Sequence, residues 1–167
     1  MSVHFEDNSI QVIAALDDAC IAFLHEAGGE IEAQTKRNMP SGHWYAEQSN
    51  RWTYRVDETK GECTVGNPLE QSLWTEFGTG EYSIAPQGGR KGYWVYVKGS
   101  DGVRSRNPKN YTLTEAKRIV AMMRSDGLNA YYTKGQKAHR PFQRAFDSCK
   151  NAIIRQAQRI LNERLGS

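Results

Sequence analysis

Apolar residues at Ile13, Leu16, Cys20, Phe23, Leu24, Ala27 and Ile31 recur at steps of three and four, which places them on one stripe of a helix. The stripe predicts a long first helix beginning near Asn8 and ending before Pro40. A bend or break is expected within it, because Gly28 and Gly29 each weaken a helix by about 1 kcal/mol relative to Ala. A second stripe closes the chain: Phe142, Ala145, Phe146, Cys149, Ile153, Ile160 and Leu161 form the expected buried side of a last helix. Pro141 is suited to its first position. With two long amphipathic helices at the ends and strand-like runs between them, the expected fold class is α+β. It would be a small, mainly antiparallel sheet packed by the first and last helices.

The middle of the chain is read from its turn residues. Ser41 to Asn50 is a linker or a short helical turn, with Gly42 as its breaker. Trp52 to Asp57 alternates and is rich in aromatic and β-branched residues, and Glu62 to Gly66 returns beside it across Thr59, Lys60 and Gly61, so a hairpin fits. Leu69 to Phe77 is ambiguous, but Leu69, Leu73, Trp74 and Phe77 favour a short helix over a strand. Between Gly78 and Gly102 lie seven glycines in 25 residues, bracketing one strand-like run from Tyr93 to Lys98. Thr112 and Glu115 make a capping box for a helix through Leu113, Ala116, Ile119, Val120 and Met123, with Gly127 as its stop. Ala130 to Thr133 follows as a strand. Strand, helix and strand form an expected β-α-β unit, whose connection would be right-handed if the strands run parallel.

The chain has 167 residues, which favours a single domain spanning 1–167, or one domain carrying an insertion. A net charge of +3 is too small a bias to argue for nucleic acid by itself. No apolar run reaches the roughly 18 residues of a membrane span, and Glu6 and Asp7 stand where a signal peptide would be basic. A soluble, unexported protein without a membrane partner is expected. Cys20, Cys63 and Cys149 include no CxxC pair and indicate reduced, mostly buried thiols. The average charge hides an asymmetry: residues 1–33 carry seven acids and no Lys or Arg, whereas residues 134–167 carry eight bases against Asp147 and Glu163. The plain account is two solvated helix faces. As fields, the two ends can also set the docking sense of a head-to-tail ring.

Candidate chemistry is sparse. His25 is five residues from Cys20, about 140° around a helix, so the two do not face one ion. His4, His43 and His139 each lack a ligand at metal spacing. Glu70 and Glu76 form no carboxylate pair with opposed environments. No catalytic residue, metal or cofactor is assigned, and an enzyme is not expected. Gly88, Gly89, Arg90, Lys91 and Gly92 lack the spacing of a phosphate-binding loop. From Lys91 the string Lys-Gly-Tyr-Trp-Val-Tyr-Val starts like an RNA-binding motif, but Trp94 fills a small-residue position and Val95 an aromatic one. The alternative reading is therefore a small RNA- or DNA-binding module using Arg90, Lys91, Trp94 and Tyr96, with the rings stacking on bases. The preferred reading makes Trp94 and Tyr96 one packed face of a sheet.

Two further motifs have no catalytic content. Glu76, Phe77, Gly78, Thr79 and Gly80 end an apolar segment with a sharp turn that exposes backbone amides. Arg140, Pro141 and Phe142 start the last helix, the proline being expected to hold Arg140 extended while the aromatic enters the core. In this order, a first helix ending in Lys36, Arg37, Asn38, Met39 and Pro40, a hairpin, Leu73 and Trp74, the Glu76–Gly80 turn, then Arg140, Pro141, Phe142 and Ala145 resemble the siphophage tail-component family. Its members are small virion proteins of the head-tail joining or tail completion region. Residues 83–138 look like an insertion of a kind associated with prophages of Gram-positive bacteria. The chain departs from the family after the first helix: in place of a Pro-Val-Asp-Thr-Gly-x-Leu string it has Pro40, Ser41, Gly42, His43 and Trp44, which keeps the glycine and puts Trp44 at the apolar anchor.

The resemblance implies a virion structural protein, made in the host cytoplasm. It would act as a homo-oligomeric ring between the head-tail connector and the tail-tube proteins. Glu76, Phe77, Gly78, Thr79, Gly80, Arg140, Pro141 and Phe142 would be its assembly motif.

Overall fold

A computed structural model describes residues 9–99, 102–106 and 109–165. The fold is α+β with long helices at both ends, and its chain divides into two compact units, residues 1–69 with 141–167 and residues 70–140. The segment 83–138 lies inside the second unit.

The first unit contains α1 (Ser9–Asn38), α2 (His43–Asn50), the strands β1 (Thr53–Asp57) and β2 (Glu62–Gly66), and α5 (Pro141–Leu165). Residues 43–50, read from sequence as a linker or turn, form a full helix. β1 and β2 pair antiparallel, with Tyr54 opposite Val65 and Val56 opposite Cys63. Their turn is held by Asp57 Oδ1, which accepts from Thr59 Oγ1 at 3.0 Å and from the Lys60 amide at 3.2 Å.

α1 is continuous through Gly28 and Gly29; the expected break is absent. The glycines serve a close approach instead. A Cβ on Gly28 would lie 2.5 Å from Cys63 Sγ and 2.7 Å from the Tyr54 ring, so the hairpin rests on α1 where the helix has no side chain. His25 meets the same Tyr54 ring edge-on at 5.9 Å.

α1 and α5 pack side by side and antiparallel. Asn38 Nδ2 donates to the Pro141 carbonyl at 3.2 Å, and Arg144 donates to the Asn38 carbonyl at 2.7 Å. The latter bond caps one of the carbonyls that a helix end leaves unpaired. Farther along, Cys149 Sγ lies 3.9 Å from Glu30 Oε1. At the closed end of the pair, Trp52 stacks on Phe142 with ring centres 5.5 Å apart.

The two apolar stripes are buried only near that closed end. Ala27, Ala145 and Cys149 are buried, but Ile13, Phe146 and Leu161 are exposed, as is Cys20. A stripe about 100° wide is broader than the seam a single partner helix covers, so a third element completes its burial. The hairpin provides that cover at Gly28 and does not extend along the rest of α1.

The second unit holds α3 (Glu70–Phe77), a short 3₁₀ turn (Gly80–Tyr82), β3 (Trp94–Gly99), β4 (Gly102–Arg106), α4 (Leu113–Ser125) and β5 (Ala130–Thr133). The strand order is β4-β3-β5, antiparallel throughout, with Val97 opposite Ala130 and Val95 opposite Tyr132. The expected β-α-β unit thus gains a strand, and its outer strands are not parallel. β4 turns the chain back before α4, so α4 returns it to pair with β3 in the opposite sense.

α4 opens with the capping box, the Glu115 amide reaching Thr112 Oγ1 and Glu115 Oε2 reaching the Thr112 amide. It closes with Leu128 N–H on the Met123 carbonyl and Gly127 N–H on the Arg124 carbonyl, the paired bonds of a Schellman stop. Val95, Ala116, Val120 and Ala130 form the core of this unit, with Tyr93, Val97 and Met123 packed around it.

Candidate functional site

The Glu76–Gly80 segment does not stand alone. Its backbone is laced to the stretch just before Arg140: Thr79 N–H donates to the Gln136 carbonyl at 2.9 Å, Glu81 N–H to the Lys134 carbonyl at 2.9 Å, and His139 N–H to the Thr75 carbonyl at 2.9 Å. Gln136 N–H donates in return to Thr79 Oγ1 at 3.0 Å. These bonds satisfy backbone groups of two irregular segments that no helix or strand serves.

The turn that permits this lacing depends on Gly78. Its φ is +73°, and a Cβ there would lie 2.8 Å from Ala138 N, Gln136 O and Tyr82 O. Both the left-handed backbone and the crowding exclude a side chain. Gly78 and Gly80 are buried, as is Glu76, while Phe77 is exposed.

The lacing ends at Arg140, which has φ +53°. The expected extended conformation is thus not adopted. The residue before a proline is barred from the right-handed helical region, and the sharp entry into α5 is met here by a left-handed residue. Pro141 is fully buried at the start of α5, and Phe142 takes its place against Trp52. Of the motif residues, the structure joins Glu76–Gly80 to residues 134–139 directly and to Arg140 through them. Pro141 and Phe142 serve the helix pair of the first unit.

Beside the turn, Lys134 and Glu81 form a polar clasp. The Lys134 ammonium is 3.4 Å from Glu81 Oε2 and lies over the Tyr82 ring at 5.0 Å. The Gly92 N–H donates to Glu81 Oε1 at 3.1 Å. The Gly92 amide first, then Lys134, hold the Glu81 carboxyl below its ordinary range, and Tyr82 first, then Glu81, raise the Lys134 ammonium above its own. This clasp was not singled out from sequence; its members are far apart in the chain and share no spacing.

Arg90, Lys91, Trp94 and Tyr96 fall on or beside β3. The Arg90 guanidinium covers the Trp94 ring at 5.0 Å and bonds to Asn110 Oδ1 and the Lys109 carbonyl. A Cβ on Gly80 would fall 2.6 Å from Trp94 Cη2. Tyr96 stacks on Tyr131 at 5.6 Å. Both rings are half-buried and Lys91 is exposed. Val95 points to the opposite face, into the core with α4.

Among the described residues no group of three or more His, Cys, Asp or Glu is arranged to hold a metal ion, and no helix is long and apolar enough to cross a membrane. Among the described residues an open shelf lies on α5 alone, lined by Arg155, Gln158, Arg159, Asn162 and Glu163. A shelf on a single helix excludes little water and brings no groups together from different elements. No family model, curated protein or solved structure matches the chain.

Proposed function

We propose that the chain is a structural subunit that works by assembly, as a ring component of a phage head-tail connector or tail terminus. The observation that carries the assembly reading is the α1–α5 pair: from Ser9 to Glu26 on α1 and from Lys150 to Glu163 on α5 no residue is buried. Ile10 is 81% exposed, Ile13 59% and Ile154 54%. Helices of this length draw most of their stability from covering an apolar side, so bare apolar residues along half of a two-helix arm favour a surface that other subunits complete.

The phage assignment rests on the resemblance carried by the Glu76–Gly80 turn and the Arg140–Phe142 helix start. The lacing of the Glu76–Gly80 turn to residues 134–139 suits a subunit that must present fixed shapes to its neighbours. The closest rival, nucleic-acid binding through Trp94 and Tyr96, is disfavoured by the rings' own partners, because Arg90 already occupies a Trp94 face on which a base would stack.

Negative-stain microscopy of the purified chain, with and without connector and tail-tube proteins of the same phage, tests the reading. Closed rings, alone or on those partners, are expected. A monomer that forms no such assembly but binds RNA or DNA with a steep salt dependence would overturn it.

A further inference from the structure

We propose that the outer half of α1 in one copy docks on a patch made by Leu73, Phe77 and Ile84 in the second unit of the next copy. The contact is head-to-tail, between two different surfaces of the chain. This rests on the assembly reading and adds to it both surfaces and the way they repeat.

The first surface is apolar and acidic. Ile10, Ile13, Ala14 and Asp17 recur at steps of three and four, so they share one side of α1. All four are exposed, as is Asp18 beside them. The hairpin that covers this side at Gly28 leaves it bare here, because Asp17 precedes Gly28 by roughly 16 Å of helix. Residues 9–33 carry five acids and no Lys or Arg, so nothing on this stretch of α1 offsets their field.

The second surface is apolar with a basic border. Leu73 and Phe77 lie one turn apart on α3, and the Ile84 N–H donates to the Phe77 carbonyl at 2.9 Å, which brings Ile84 to the same end of the helix. The three are 58%, 39% and 52% exposed. Gly78 follows Phe77, and Gln136 and Ala138 close on it. Lys137, between those two, is exposed, as is Arg140. Glu70, a turn before Leu73, is the exposed acid at the other end, so an acidic partner is met at the Phe77 end, with Asp17 toward Lys137. The unit as a whole agrees: residues 70–140 carry twelve Lys and Arg against six Asp and Glu, whereas the rest of the chain carries ten against thirteen.

Charge selects this pairing from the others that a second copy offers. Laid on another α1, the acidic stretch would face acids. On another α5 it would meet Arg155 and Arg159 beside that copy's own acidic α1, whose field opposes theirs. The Leu73–Ile84 patch joins bare apolar side chains to bases with no such helix alongside. The apolar residues on both sides also favour a protein over a nucleic acid, whose phosphates would engage Lys137 and leave Leu73 and Ile84 uncovered. A contact between unlike surfaces passes from copy to copy and closes as a ring or runs on as an open chain.

Sedimentation equilibrium of the full chain across the micromolar range tests this, with circular dichroism to confirm folding. The wild-type chain should form trimers or larger assemblies. Ile13→Glu and Leu73→Glu should each give monomers, and their equimolar mixture should give a dimer that grows no further, since one intact α1 then meets one intact patch. Where Leu73→Glu does not fold, Ile84→Glu takes its place. Asp17→Lys should weaken association about tenfold, and adding Lys137→Glu to the same chain should restore much of the loss. A wild-type monomer at all concentrations overturns the proposal, as does a mixture that stays monomeric, which two-fold contacts of either surface with itself would give. Assembly that is lost in Ile154→Glu but indifferent to Leu73→Glu and Ile84→Glu overturns it too, and so does a monomer that binds RNA or DNA through Lys137. Open chains that follow these dependences yet never close into rings, alone or on phage partners, would refute the ring reading and leave the contact standing; rings insensitive to the substitutions would do the reverse.

Discussion

Thr79 and Gln136 exchange two hydrogen bonds, the Thr79 amide to the Gln136 carbonyl at 2.9 Å and the Gln136 amide to the Thr79 hydroxyl at 3.0 Å. Their separation in sequence is long, and everything between them, including the three-stranded sheet and α4, is thereby closed into a loop at its base. Neither residue lies in a strand. The bonds hold because Gly78, Gly80 and Gly135 let the two backbones approach to a distance that any Cβ would block.

Gly78→Val should therefore destabilise the second unit severely, by about 3 kcal/mol or more, since a β-branched residue at positive φ adds strain to a steric clash. Urea unfolding followed by tryptophan fluorescence reads this as a lower midpoint. An unchanged midpoint would remove the turn from the account.

Thr79→Val keeps the shape and removes the acceptor that Gln136 N–H uses. The loss should be about 1–2 kcal/mol, and Thr79→Ser should recover most of it. Equal stability of the two variants would show that the hydroxyl contributes nothing.

Gly28→Ala trades a gain in helix propensity of about 1 kcal/mol against contact with Cys63 and Tyr54. The clash should dominate, giving a net loss in thermal stability. Pairing it with Cys63→Ala, which removes the nearer obstacle, should give a double variant more stable than the sum of the single effects predicts.

The Glu81–Lys134 clasp predicts two pH limbs. Glu81 has a lowered pKa in the folded chain, so its contribution is present above the ordinary glutamate range and is lost as pH falls through the depressed value. Lys134 has a raised pKa, so its contribution is present below the ordinary lysine range and is lost as pH rises through the elevated value. Glu81 is exposed and Lys134 half-buried at the surface, so both limbs should be shallow. Glu81→Gln should flatten the acid limb in a series of unfolding curves; an unaltered slope would contradict the assignment.

What could be read from the residues alone were the features written in local spacing. The 3.6-residue period of α1 and α5, the Thr112–Glu115 cap, the Gly127 stop and the alternation of the first hairpin each show in a short window, and each appears in the structure. β4 was missed because Gly102, Val103, Arg104, Ser105 and Arg106 offer one apolar residue to a strand template, and without β4 the relative sense of β3 and β5 was left open. The left-handed Arg140 and the Thr79–Gln136 lacing left no periodic trace, since they are made by backbone atoms of irregular segments. The stripes of α1 and α5 were visible, but a stripe reports which side a helix would bury and not whether a partner within the chain covers it. Ile13 and Leu161 have the right spacing and remain exposed.

The central claim is that the outer arm exists to be covered by another subunit. Hydrogen-deuterium exchange of the intact chain, run at a series of protein concentrations, tests it at the residues concerned. Amides of residues 10–24 and 150–161 should become more protected as concentration rises, while those of α4 and β5 stay constant. Exchange in the arm that is the same at every concentration would contradict the account.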